Sequence, residues 1–155
     1  MKKDIIISLD LEMNQPSGKI IQIGLAAGSI SSGKIIDTFC VNVNPNEILD
    51  PRIIKLCGIK DKDLIDAPVL VDAFEEAHAW IVKYPDRIMN PLTWGGSDSL
   101  VLHEQLGKPE AWIFGRRWID AKTVFISWRM AQGCELTGGL ARSMTKLGLS
   151  FDGRK

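Results

Sequence analysis

From Asp4 to Glu12 the chain reads Asp-Ile-Ile-Ile-Ser-Leu-Asp-Leu-Glu, an apolar run that closes on two carboxylates one residue apart. Lys19 to Ala27 (KIIQIGLAA) and Lys34 to Val43 (KIIDTFCVNV) repeat the pattern, with Gly18 and the Ser29 to Gly33 stretch as turns. β-branched runs bounded by Gly and Ser predict three strands in an antiparallel meander. The density of Ile and Leu in the first run predicts a strand buried on both faces. Beyond Asn44 the period lengthens. Pro51 to Cys57, closed by Gly58, reads as a short helix. After Pro68, positions Leu70, Ala73, Phe74, Ala77, His78 and Ile81 share one helical face, so His78 belongs to an apolar stripe. Arg87 to Trp94 predicts a strand, Gly95-Gly96-Ser97 a tight turn, and Asp98 to Leu106 a helix. Asp120 is placed to cap a further helix with Val124, Phe125, Trp128 and Ala131 inside. Leu140, Met144 and Leu147 mark a last helix, ended by Gly148. Strands first, then strands mixed with helices, predict an α/β domain with a mixed sheet.

Composition narrows the class. A chain of 155 residues that is 45% hydrophobic is sized for one compact domain with its own core. No run approaches the roughly 20 apolar residues of a membrane span, and the start is too short for a signal peptide, so a cytoplasmic protein without membrane contact is expected. Cys40, Cys57 and Cys134 are widely spaced, which argues for free thiols over zinc or disulfides. Net charge is zero but uneven: residues 1–110 carry 11 Lys/Arg against 16 Asp/Glu, and residues 111–155 carry 8 against 3. The basic part is compatible with a polyanion, and equally with a solvated surface. The five tryptophans include candidates for base stacking, though most tryptophans are core residues.

The chemistry lies in the acidic part. Residues i and i+2 of a strand point to the same face about 6.6 Å apart, so Asp10 and Glu12 can converge on one cation. Two unit charges 4 Å apart at an effective dielectric near 20 repel by about 4 kcal/mol, a penalty that a divalent metal removes. Asp98 is a third candidate, although Asp is also a favoured helix N-cap.

Three segments carry a family resemblance: Ser8-Leu9-Asp10-Leu11-Glu12, the strand Gly18 to Gly24, and Thr93-Trp94-Gly95-Gly96-Ser97-Asp98. With Leu56-Cys57-Gly58-Ile59 and Ile65-Asp66-Ala67-Pro68, the chain resembles the DEDDh branch of the 3′ to 5′ exonucleases, closest to its RNA-processing members. The resemblance implies an RNase H-like fold, a mixed five-stranded sheet with flanking helices. It implies release of 5′-mononucleotides from the 3′ ends of RNA or single-stranded DNA, using two Mg²⁺ or Mn²⁺ ions. Asp10 would bridge both metals, Glu12 would bind the metal that holds the attacking water, and Asp98 would hold the second through water. Backbone around Met13 and Asn14 would lie beside the terminal nucleotide.

The family's last motif, a histidine base followed by a fourth metal-binding aspartate, has no counterpart here. Its lead-in stands as Leu147-Gly148-Leu149-Ser150-Phe151-Asp152-Gly153-Arg154-Lys155, where the sequence ends. Neither His78, His103 nor Tyr84 matches the missing position. Residues 1–155 therefore read as a single exonuclease-like domain truncated at its C-terminus, without the closing helix. A positioned base is worth typically 100-fold to 10,000-fold, so weak or absent activity is expected. Exposed apolar surface, pairing with a second copy or a partner chain, and low stability would follow. The alternative is a non-catalytic nucleic-acid-binding or protein-interaction module on the same fold.

Overall fold

The computed structural model describes residues 3–107, 112–136 and 138–150. The three expected strands form β1 (Ile5–Met13), β2 (Ile20–Ser29) and β3 (Ile35–Asn42). β2 pairs antiparallel with both neighbours, as a meander requires. Two short strands, β4 (Leu92–Thr93) and β5 (Ile119–Asp120), add to the other edge of β1 in parallel, giving the order β3-β2-β1-β4-β5. The helices are α1 (Pro51–Cys57), α2 (Leu70–Ile81), α3 (Ser97–Leu106), α4 (Ala121–Ala131) and α5 (Leu140–Lys146).

Local signals explain most boundaries. Asp50 caps α1 by accepting from Arg52 N, Pro51 enters at its first position, and Gly58 ends it at φ 75°. α2 lays Ala73, Phe74, Ala77, Trp80 and Ile81 against the sheet. Trp80 extends the expected stripe, falling three residues after Ala77, and His78 stands half-buried at its margin. The main core lies between α2 and one face of the sheet, where Ile7, Leu9, Leu11, Ile23, Leu25 and Val41 are buried. A smaller cluster packs Ile21 and Leu49 with Cys57, Ile59 and Leu64.

Three expectations are corrected. β1 is not buried on both faces: from Ile7 onward buried and accessible positions alternate, and Ser8, Asp10 and Glu12 stand on the uncovered side. The Ile-rich start hid this, but Ile7-Ser8-Leu9-Asp10-Leu11-Glu12 alternates strictly and signals a half-buried strand. The strand expected over residues 87–94 shortens to Leu92–Thr93. Pro91 has no N–H for a ladder, although Ile88 N still donates to Ile5 O at 2.8 Å. Finally, α4 forms where Asp120 predicts, yet its apolar side is not an inner face. No residue of α4 is buried, and Val124 is 59% exposed.

Candidate active site

The sheet face opposite α2 is where the carboxylates gather. Across from Asp10 on β2 is Gly24, and across from Glu12 is Gln22. Gly24 presents no side chain, and Ala26 beyond it only a methyl, so the surface above Asp10 stays low. An open cleft of about 630 Å³ results, with Asp10, Glu12, Gln22, Phe39, Trp94 and Leu140 among its walls. Gln22 Nε2 donates to Asn42 Oδ1 at 2.8 Å, which fixes the amide beside Glu12.

Asp98 reaches the same place from the other side. β4 runs parallel to β1, and the turn after Thr93 starts α3 with Asp98 as its second residue. Gly95 takes φ 111°, a conformation closed to most side chains. Thr93 Oγ1 donates to Gly95 O at 2.6 Å, and Gly95 N donates to Asp120 Oδ1 at 3.0 Å. The same Asp120 accepts from Lys122 N and Thr123 N, so one carboxylate caps α4 and pins the turn that aims α3. At the far end of α3, Gln105 accepts from Ile20 N at 3.1 Å and donates to Gly18 O at 2.7 Å. Asp120 and Gln105 are thus positioning residues. The sequence showed Asp120 only as a cap and gave no signal for Gln105, because its partners are backbone groups 85 and 87 residues away.

The charges of Asp10 and Glu12 reach Asp98. Asp98 is buried, and its carboxyl is pushed up to about 6, first by desolvation and then by the charges of Asp10 and Glu12. Asp10 meets solvent at the open cleft, yet the protein around it still raises its carboxyl by desolvation. The donors are all oxygens and their charges oppose one another, which suits a hard divalent cation. They are not a closed cage: among the described residues no group of three or more His, Cys, Asp or Glu is arranged to hold a metal ion. A cation fits the donor chemistry, with water completing its shell.

The other expected site residues behave differently. Met13 follows a register shift in β1 and packs partly against the core. Asn14 is 2% exposed, and its side chain is fully engaged: Nδ2 donates to Glu47 Oε1 at 2.7 Å and Ile48 O at 3.1 Å, and Oδ1 accepts from Asp50 N at 2.8 Å. Its backbone closes the β1–β2 turn through Lys19 O and Gly18 N. Asn14 is a structural pin for the connection into α1. His78 lies on α2, on the core side of the sheet, and His103 stacks on Trp112 with ring centroids 4.0 Å apart. Neither imidazole lines the carboxylate cleft. The C-terminal signature is described as far as Ser150, and Phe151 to Lys155 lie outside the described residues.

A mixed sheet of this order with flanking helices is the RNase H-like fold of the solved nucleases that this chain resembles. The resemblance read from the sequence holds at that level. The nuclease domain of 3′hExo, a DEDDh family member bound to rAMP, superposes with a TM-score of 0.79 at 21% identity, covering 98% of this chain and 82% of that one. Cell-death related nuclease 4 (CRN-4) gives 0.82 at 18% identity, over 97% of this chain and 57% of the other. Exonuclease X in complex with 5′ overhanging duplex DNA gives 0.67 at 14% identity, over 95% and 75%. In sequence the chain is similar to DNA polymerase III PolC-type of Bacillus subtilis, 44% identical over 59 residues. The same polymerase of Oceanobacillus iheyensis is 36% identical over 81 residues. These matches take in 38% and 52% of this chain but only 4% and 5% of the polymerases' length. No protein-family model matches the chain.

Proposed function

We propose that this chain is a divalent-metal-dependent 3′ to 5′ exonuclease domain that releases 5′-mononucleotides from RNA or single-stranded DNA. The observation that carries the reading is that Asp10 and Glu12 line one cleft and lie close enough to the buried Asp98 for their charges, after desolvation, to raise its carboxyl. Three facing carboxylates destabilise a protein that has no cation to offer them, and a nuclease site needs that arrangement.

In this reading Asp10 and Glu12 hold Mg²⁺ or Mn²⁺ and Asp98 contributes through water. The bound cations supply activation of the attacking water and neutralisation of charge on the phosphate. Water adds to phosphorus, the bond from phosphorus to the 3′ oxygen breaks, and that oxygen takes a proton from solvent. The water's proton needs an acceptor, and among the described residues the cleft offers only carboxylates. A positioned base typically contributes about 100-fold to 10,000-fold, so the identity of that acceptor sets the rate. The substrate end enters where Gly24 and Ala26 leave the sheet face open. Structural likeness to 3′hExo bound to rAMP supports RNA, and sequence likeness to a DNA polymerase supports DNA.

The test uses matched RNA and DNA oligonucleotides labelled at the 3′ or the 5′ end, with Mg²⁺ or Mn²⁺. Early loss of the 3′ label as mononucleotide, with a shortening ladder from the 5′ label and no reaction by Asp10→Ala, is the expected pattern. Metal-dependent binding of 3′ ends without product would instead support the non-catalytic module.

A further inference from the structure

A second cavity, of about 320 Å³, lies on the other flank of α3. Its walls include Thr93, Ser99, His103, Arg116, Trp118 and Asp120. Thr93 also lines the carboxylate cleft, so the two hollows meet at the end of β4. The helix sets the division: Asp98 and Leu102, four residues apart, are its buried row, and Ser99 and His103, also four apart, form the next row round.

Among the described residues, the second cavity has a cation in its wall, which the first lacks. Arg116 is exposed, and among the described residues no carboxylate lies within ion-pair distance of it. Arg117 follows it, also exposed. The indole Nε1 of Trp118 is buried and has no hydrogen-bond partner among the described residues. His103 is held by its stack on Trp112 and adds an N–H donor, while Ser99 Oγ makes only a long contact of 3.4 Å to Gly96 O. The one acid in the wall, Asp120, has both oxygens occupied, by Gly95 N, Lys122 N, Thr123 N and Thr123 Oγ1. Among the described residues Arg116 has no ion-pair partner and Trp118 Nε1 no acceptor, a combination that suits an anion with several oxygens.

We propose that this cavity binds a backbone phosphate of the nucleic-acid strand, one that lies beyond the nucleotide seated at Asp10, Glu12 and Asp98. The inference rests on the nuclease reading and extends it from the cleaved end to the rest of the strand. It gives the basic charge of residues 111–155 a task, since Arg116 and Arg117 belong to that part. Arg116 and Trp118 fix the register of the strand and read no base, because phosphate contacts position without specifying.

The test follows the indole N–H signals of the five tryptophans by NMR, without divalent metal so that nothing is cleaved, with Trp118 assigned from Trp118→Phe. A single-stranded oligonucleotide is expected to move the Trp118 signal saturably. A 5′-mononucleotide or inorganic phosphate at equal concentration is expected to leave it in place. Arg116→Ala should remove the shift and lower the slope of log K against log salt by about 0.7, the share of one single-strand phosphate contact. Arg116→Lys should recover the slope, and Lys34→Ala, on the opposite sheet edge, should change neither. If the Trp94 signal in the cleft moves while Trp118 does not, the phosphate site is wrong and the nuclease reading stands. An equal response to free phosphate overturns the assignment to a strand. If no signal responds to any oligonucleotide, this inference fails, and the cleavage assay with Mg²⁺ or Mn²⁺ decides the nuclease reading separately.

Discussion

Asp98 is where the cost of the site is most visible. Its carboxyl titrates near 6 in the folded chain, against 3.8 as its ordinary value, because it is buried and faces two like charges. The folded state therefore holds a proton that the unfolded state has released, and the stability this proton confers is present below about pH 4 and lost as pH rises through 6. Without metal, the thermal midpoint of the wild type should fall between pH 5 and pH 7 by more than that of Asp98→Asn. Mn²⁺ should raise the wild-type midpoint at pH 7 and leave Asp98→Asn nearly unmoved. Paired melting curves check both statements, and a wild type indifferent to Mn²⁺ would mean that the three carboxylates do not share a cation. Asn14 illustrates the opposite relation between position and role. It directly follows the carboxylate strand, its backbone is the part expected beside the terminal nucleotide, and its side-chain amide is consumed by Glu47, Ile48 and Asp50. Asn14→Ala leaves buried partners unsatisfied, and urea denaturation should show a loss of about 2–3 kcal/mol.

Elements place these residues, and the placement depends on a few caps and cross-links. Asp120 joins α4 to the turn before α3. Asp120→Ala should cost about 0.5–2 kcal/mol as a lost N-cap. It should also reduce nuclease rate by more than the stability loss explains, because Gly95 is freed and Asp98 loses its aim. A control with a cap of equal value elsewhere, Asp50→Ala at α1, should lower stability without the extra loss of rate. What could be read in advance follows the range of the forces involved. β1, β2 and β3, α1, α2 and the α4 cap were legible because periodicity and capping are local. The carboxylates of the candidate site could be picked out because two lie on one strand and the third opens a helix. β4 and β5, two residues each, have no periodicity of their own and exist through pairing with β1 and with each other. The open face of β1 was written in the alternation from Ile7 to Glu12, and the preceding isoleucines obscured it.

Over the whole molecule, coverage is unequal. One face of the sheet is packed by α2, and the other carries the cleft, bounded by α4 and α5, whose apolar residues remain accessible. Val124, Trp128 and Leu140 are 59%, 49% and 37% exposed. Because Val124 is already in water, Val124→Gln should shift unfolding free energy by less than about 0.5 kcal/mol, whereas Phe74→Ala, in the packed layer, should cost about 3–5 kcal/mol. Urea titrations of the two variants distinguish a lopsided fold from one that buries both sides. No described helix is long and apolar enough to cross a membrane. The most direct measurement remains the release of mononucleotide from a 3′-labelled oligonucleotide by the purified chain with Mn²⁺. Release from the 3′ end, abolished by Asp10→Ala and by removal of the metal, is expected. Release that persists in Asp10→Ala, or cleavage that begins inside the strand, would contradict a 3′-end nuclease built on these carboxylates.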